Sequence, residues 1–107
     1  MEKYKRLHRT TMNKIDSVPA VGVYVIAYMG KILYIGKSNQ SINDRIISHI
    51  YKGDRLGFWL RCMQFDWHNI RLDILEMPDD EDAYWLGEVE NRMIRYFNPL
   101  FNTQLQL

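Results

Sequence analysis

The chain has 107 residues, 47% hydrophobic and 25% charged, which suits one domain with a modest core, and no apolar run approaches the roughly 20 residues of a membrane span. Its net charge of +1 hides a split: residues 1–65 carry eleven Lys and Arg against four Asp and Glu, and residues 66–107 three against nine, so the halves stand at +7 and −6. A lone cysteine, Cys62, excludes an internal disulfide and a zinc site of CxxC type; with no signal-peptide pattern, the chain reads as intracellular, cytoplasmic, with Cys62 a small core hydrophobe.

Residues 1–19 read as a basic N-terminal arm (Lys3, Lys5, Arg6, Arg9, Lys14), able to follow a phosphate backbone or to sit solvated. A single domain is expected over residues 20–107. Residues 22–28 (GVYVIAY) and 31–37 (KILYIGK) are rich in β-branched and aromatic residues and apolar on both faces, which predicts neighbouring central strands in a covered sheet. Their connection decides where Tyr24 and Tyr34 point, because strand side chains alternate with period two. A two-residue loop at Met29-Gly30 puts them on opposite faces. A three-residue loop, Tyr28-Met29-Gly30, with Gly30 left-handed in a bulge, sets Tyr24 directly across from Tyr34; this is the expected connection.

Ile42, Ile46 and Ile50 recur every four residues as one helical stripe, with Arg45 and His49 one turn apart on its flank and Asp44 pointing away. Residues 55–65 carry a weaker helical pattern, and residues 69–77 alternate as a half-buried third strand. A last helix is predicted from about Asp80 to Phe97. Asn98-Pro99 ends it, and Asp79, Asp80, Glu81 and Asp82 suit its positive end. The predicted architecture is α/β of the α+β type, a three-stranded, largely antiparallel sheet flanked by helices.

On the last helix Leu86, Val89, Met93 and Phe97 share an apolar face, and Glu90 lies in the sector between that group and Ile94. An unpaired carboxylate is costly to bury, so such a group is protonated, ion-paired or metal-bound. A structural ion pair with Arg45 and metal binding stand level on this evidence. Trp59, Trp67 and Trp85 suit core packing better than base stacking. His8 and His68 have no partner at metal-ligand spacing.

Gly22-Val23-Tyr24, Tyr34-Ile35-Gly36-Lys37, Arg45 and Glu90, with Pro99 nine and Asn102 twelve residues after Glu90, resemble the GIY-YIG nuclease superfamily of homing endonucleases, some restriction enzymes and the incision domain of nucleotide excision repair. The match spans residues 20–103. The resemblance implies a metal-dependent endonuclease that hydrolyses DNA, duplex DNA first of all, to 5′-phosphate and 3′-hydroxyl ends with one Mg²⁺ or Mn²⁺ ion. It makes Tyr24 the candidate base near the attacking water and Tyr34 a second hydroxyl on the phosphate or the water. Arg45 would stabilise the charge of the pentacovalent phosphate. Glu90 would be the single protein ligand of the metal, which keeps waters and takes phosphate oxygens as well. His49 would accept a proton from Tyr24 or contact phosphate, Lys37 would contact phosphate, Gly36 would allow close approach, and Asn102 would brace the backbone. Specificity would come from a homodimer, the basic arm or a partner protein. The alternative is a non-catalytic nucleic-acid-binding module on the same fold.

Overall fold

The computed structural model describes residues 6–77 and 83–102; the acidic run at 79–82 and the expected helix start near Asp80 lie outside the described residues. Four strands, β1 (Arg6–Thr11), β2 (Gly22–Tyr28), β3 (Lys31–Ser38) and β4 (Ile70–Glu76), form one antiparallel sheet in the order β1-β4-β2-β3. The sheet therefore has four strands, not three. The extra strand gave no hydrophobic signal because it is a solvated edge, whose one large apolar side chain, Leu7, is exposed. What holds it is backbone pairing with Arg71–Glu76 of β4, with Arg9 opposite Asp73 and His8 Nε2 2.7 Å from Glu76 Oε1. β3 is likewise an edge strand rather than a central one.

The hairpin differs from expectation in an instructive way. Tyr28 pairs with Lys31, so the loop is the two-residue Met29-Gly30, both residues at positive φ (52° and 80°) as a tight hairpin turn requires. Such a loop alone would send Tyr24 and Tyr34 to opposite faces. Between Ala27↔Ile32 and Ile26↔Tyr34, however, Leu33 is left over as a bulge. The extra residue turns Leu33 and Tyr34 to the same side, and both enter the core cluster that contains Tyr24. Tyr24 sits opposite Gly36, and Tyr34 is its diagonal neighbour, at 6.2 Å between ring centroids.

One face of the sheet packs against α1 (Ile42–Lys52) and α2 (Arg55–Cys62), through Ile42, Ile46, Ile50, Leu56 and Leu60 on Tyr24, Ile26, Leu72 and Ile74. Short 3-10 segments at Met12–Ser17 and Gln64–Asn69 complete that layer; Met12 and Ile15 are buried in it. Ser41 begins α1 by accepting the Asp44 N–H at 3.1 Å, Gly53 ends it at φ 81°, and Asp54 begins α2 by accepting the Gly57 N–H at 2.7 Å. The two helices meet closely at Gly57, where a Cβ would stand 1.8 Å from the His49 carbonyl oxygen. On the other face α3 (Ala83–Phe97) lays Leu86, Val89, Met93 and Ile94 on Val23, Ile35 and Met77. Phe97 is not part of that seam: it is 44% exposed, edge-on to Tyr96. Nor is Cys62 in the core; it lies exposed at the end of α2. Trp59 and Trp67 pack against the first cluster and Trp85 against the second.

Asn102, the buried polar residue of the core, closes the free edge of β3. Its Oδ1 accepts the Ile35 N–H at 2.9 Å and its Nδ2 donates to the Ile35 carbonyl at 3.1 Å, as a neighbouring strand would. Replacing it with alanine orphans both backbone groups at a cost of order 1–3 kcal/mol each. Asn102→Ala is therefore expected to lose about 2–6 kcal/mol in urea unfolding.

Candidate active site

Tyr24 and Tyr34 stand side by side on the α1 face of the β2–β3 hairpin. Tyr24 has no exposed surface, and its ring lies over Gly36, where a Cβ would come within 2.5 Å of the phenol end and 2.8 Å of the Tyr34 ring. Glycine is what that strand position can hold. The Tyr24 hydroxyl is buried with no hydrogen-bond partner within 3.5 Å among the described residues, and the Arg45 guanidinium is near enough to act on it as a longer-range donor. Burial first, and then the neighbouring Tyr34, push its pKa far above the ordinary tyrosine range, while Arg45 pulls the other way. Tyr34 is pushed up to about 12 by burial and by the Glu90 charge, again opposed by Arg45.

Arg45 projects from the exposed flank of α1 and Lys37 from β3, its Nζ 3.4 Å from where a Cβ of Gly87 on α3 would be. Both line an open cleft of about 420 Å³, with Ser38, Ser41, Ser48 and Leu86 among its walls. Glu90, half-buried on α3, has its pKa raised by burial and drawn back by Lys37 and Arg45. The structural ion pair with Arg45 is not formed: among the described residues no ion pair within 4 Å involves Glu90. Among the sequence-selected residues, Tyr24, Tyr34, Arg45 and Glu90 thus act on one another electrostatically, and Lys37 acts on Glu90, across the sheet, α1 and α3.

His49 reaches the same group from α1, its ring edge-on to Tyr34 at 5.0 Å. Its Nδ1 is 2.7 Å from Asp54 Oδ2, and its Nε2 is buried with no partner among the described residues. With Nδ1–H donating to Asp54, Nε2 carries the free lone pair. Asp54 is held in turn by the Gly57 N–H, and these hydrogen bonds outweigh burial to keep its carboxyl below the usual aspartate range. Sequence reasoning missed Asp54. Its signal was available, an N-cap residue directly ahead of the 55–65 helical pattern, but that signal names a helix start rather than a histidine partner.

No group of three or more His, Cys, Asp or Glu that would cage a metal occurs among the described residues. The donor set fits a hard, water-retaining divalent cation instead, since Glu90 offers a carboxylate with no ion pair within 4 Å among the described residues, within the field of the cleft residues Lys37 and Arg45.

No protein-family model matches the chain, and no curated protein does either. Solved structures do. The magnesium-bound GIY-YIG N-terminal endonuclease domain of UvrC from Thermotoga maritima superposes with TM-score 0.60 at 22% identity, covering 84% of this chain and 92% of that one. Two tyrosine-to-phenylalanine variants of the same domain, each bound to its catalytic divalent cation, give 0.61 at 21% and 22% identity, over 84% of this chain and 91% of theirs. The chain has the GIY-YIG endonuclease-domain fold.

The buried phenols have a consequence for stability. A tyrosine whose pKa is raised on folding keeps its proton in the native state after the unfolded chain has lost its own. Stability is therefore fully present below pH 10, the ordinary tyrosine value, and falls as pH rises toward about 12, the value for folded Tyr34. Urea midpoints measured from pH 9 to 11.5 are expected to decline in the wild type and to decline less in Tyr34→Phe, a difference of about 2 kcal/mol at the top of the range.

Proposed function

We propose that this chain is a divalent-metal-dependent endodeoxyribonuclease that hydrolyses phosphodiester bonds in DNA, leaving 5′-phosphate and 3′-hydroxyl ends. The observation that carries this reading is Glu90: a half-buried carboxylate with no ion pair within 4 Å among the described residues, drawn on by Lys37 and Arg45 and acting on Tyr34 and Tyr24. A fold has no stability reason to keep such a group, because leaving it uncompensated costs free energy. A metal site does. The fold likeness to divalent-cation-bound endonuclease domains agrees with it.

Glu90 would hold one Mg²⁺ or Mn²⁺ ion, which would supply Lewis-acid stabilisation of negative charge on the phosphate and the leaving oxygen. Arg45 and Lys37 bind the phosphate at the cleft, and the forked guanidinium meets the charge that accumulates as the water oxygen bonds to phosphorus. Burial keeps both phenols protonated at neutral pH, so neither is a standing phenolate. The tyrosine hydroxyls orient the attacking water, and its proton leaves through them to the free Nε2 of His49. The bond from phosphorus to the 3′ oxygen breaks, and that oxygen takes a proton from solvent. Asp54 acts through His49 as a positioning residue: it fixes the tautomer and steadies the imidazolium.

Three experiments test the reading. Plasmid nicking is expected with Mg²⁺ or Mn²⁺ and to cease in EDTA, and Glu90→Gln and Arg45→Ala are each expected to lose about 10²-fold or more. Because burial raises the Glu90 pKa, the carboxylate's contribution to stability is present below about 4.5, its ordinary value, and lost above it. Glu90→Gln should accordingly melt higher than wild type at pH 7 while being inactive. Salt-sensitive DNA binding without cleavage would instead assign a binding module. Asp54→Asn keeps the helix cap but reverses the hydrogen bond that sets the His49 tautomer. It is expected to lower kcat about tenfold or more with KM and melting temperature near wild type.

A further inference from the structure

Beyond the cleft, the α1–α2 side of the molecule carries a second concavity of about 320 Å³, walled by Phe58, Trp59 and Phe101 with Gly53, Asp54 and Arg55 at its mouth. Phe58 is 61% exposed, whereas Phe101 is buried in the core and Trp59, partly buried, packs against it at 6.1 Å between ring centroids. Arg55 stands at the mouth of the concavity, and two further cations lie close to its walls, Arg61 against Phe58 and Lys52 near Asp54. Arg61 lies over the Phe58 ring at 5.8 Å, and Lys52 and Arg55 have no ion pair within 4 Å among the described residues. The acid at this site, Asp54, has both oxygens engaged, by His49 and by Gly57. A slot walled by aromatic rings with the unpaired charge of Arg55 at its rim complements the flat face of a nucleobase attached to an anionic backbone.

The pocket also joins the candidate active site through one side chain. Asp54 lines the slot and at the same time holds His49, whose ring touches Tyr34. From this geometry we infer that the slot formed by Phe58, Trp59 and Phe101 receives an unpaired nucleobase of the DNA strand whose phosphate occupies the Arg45–Lys37 cleft. The inference rests on the nuclease reading and narrows its substrate class: the enzyme is directed to DNA with an unstacked base on the cleaved strand near the cut, as in a bulge, flap or frayed end, rather than to uninterrupted duplex. A fully paired duplex has to unstack a base to fill the slot, and a bulged one does not.

The test is binding in EDTA, where no cleavage occurs, with two fluorescein-labelled duplexes of equal length, one fully paired and one with a single-base bulge. Wild type is expected to bind the bulged duplex about tenfold tighter, in the range one stacked base supplies, with Trp59 fluorescence quenched. Phe58→Ala, a change at an exposed ring, should melt as wild type does, bind the paired duplex unchanged and lose the preference. Equal affinity of wild type for the two duplexes, or a preference that survives in Phe58→Ala, overturns the inference. Mg²⁺-dependent nicking on the same preparations separates the two readings. Nicking without preference for the bulge leaves the nuclease and removes the base slot; preference without nicking does the reverse.

Discussion

Leu33 has no partner across the hairpin, and that unpaired residue decides which side of the sheet the Tyr34 ring occupies. A two-residue turn is the tightest way to join β2 to β3 and suits their twist, yet it would separate the two tyrosines by the thickness of the sheet. The bulge restores the alternation one residue late, so Ile32 stays with the α3 layer while Leu33 and Tyr34 both turn to α1. Ring contact with Tyr24, edge contact with His49 and the need for glycine at position 36 all follow from that shift. The site is thus assembled by backbone register before any polar contact contributes.

The polar part of the site runs against stability. Among the described residues the Tyr24 hydroxyl has no hydrogen-bond partner within 3.5 Å beyond the more distant Arg45, His49 buries a ring nitrogen with none, and Glu90 keeps a half-buried carboxylate with no ion pair within 4 Å. Each is a group that folding alone would remove. They persist where the surrounding structure is over-determined: Asn102 pins β3, Asp54 caps α2 while holding His49, and Gly57 brings the two helices into backbone contact. Rigid scaffolding next to unsatisfied groups is the arrangement expected of a site awaiting a ligand.

Much of this was legible in the residues. The isoleucine stripe placed α1 and the flank positions of Arg45 and His49, and the apolar sector of α3 marked Glu90, because burial leaves a periodic trace in sequence. What escaped notice was whatever left none. β1 is a solvated edge with a single large apolar side chain, so its pairing is written in backbone hydrogen bonds rather than in hydrophobic alternation. The loop length was misread because a turn and a bulge produce the same facing for Tyr24 and Tyr34 by two different routes. Cys62 was expected inside on residue type alone, but it falls at the last turn of α2, past the buried positions Leu56, Gly57 and Leu60. Asp54 was visible only as a cap, since a histidine partner five residues away depends on how two helices are joined.

The side-chain amide at position 102 has one more implication. An edge strand offers its unpaired peptide groups to any other extended chain, and proteins commonly blunt such edges with charge, proline or a covering segment. Here a tethered asparagine takes up both groups of Ile35 midway along β3. A stray strand arriving there meets an occupied rung and cannot zip past it, so the exposed border of the sheet is poorly suited to seed polymerisation or strand exchange between molecules.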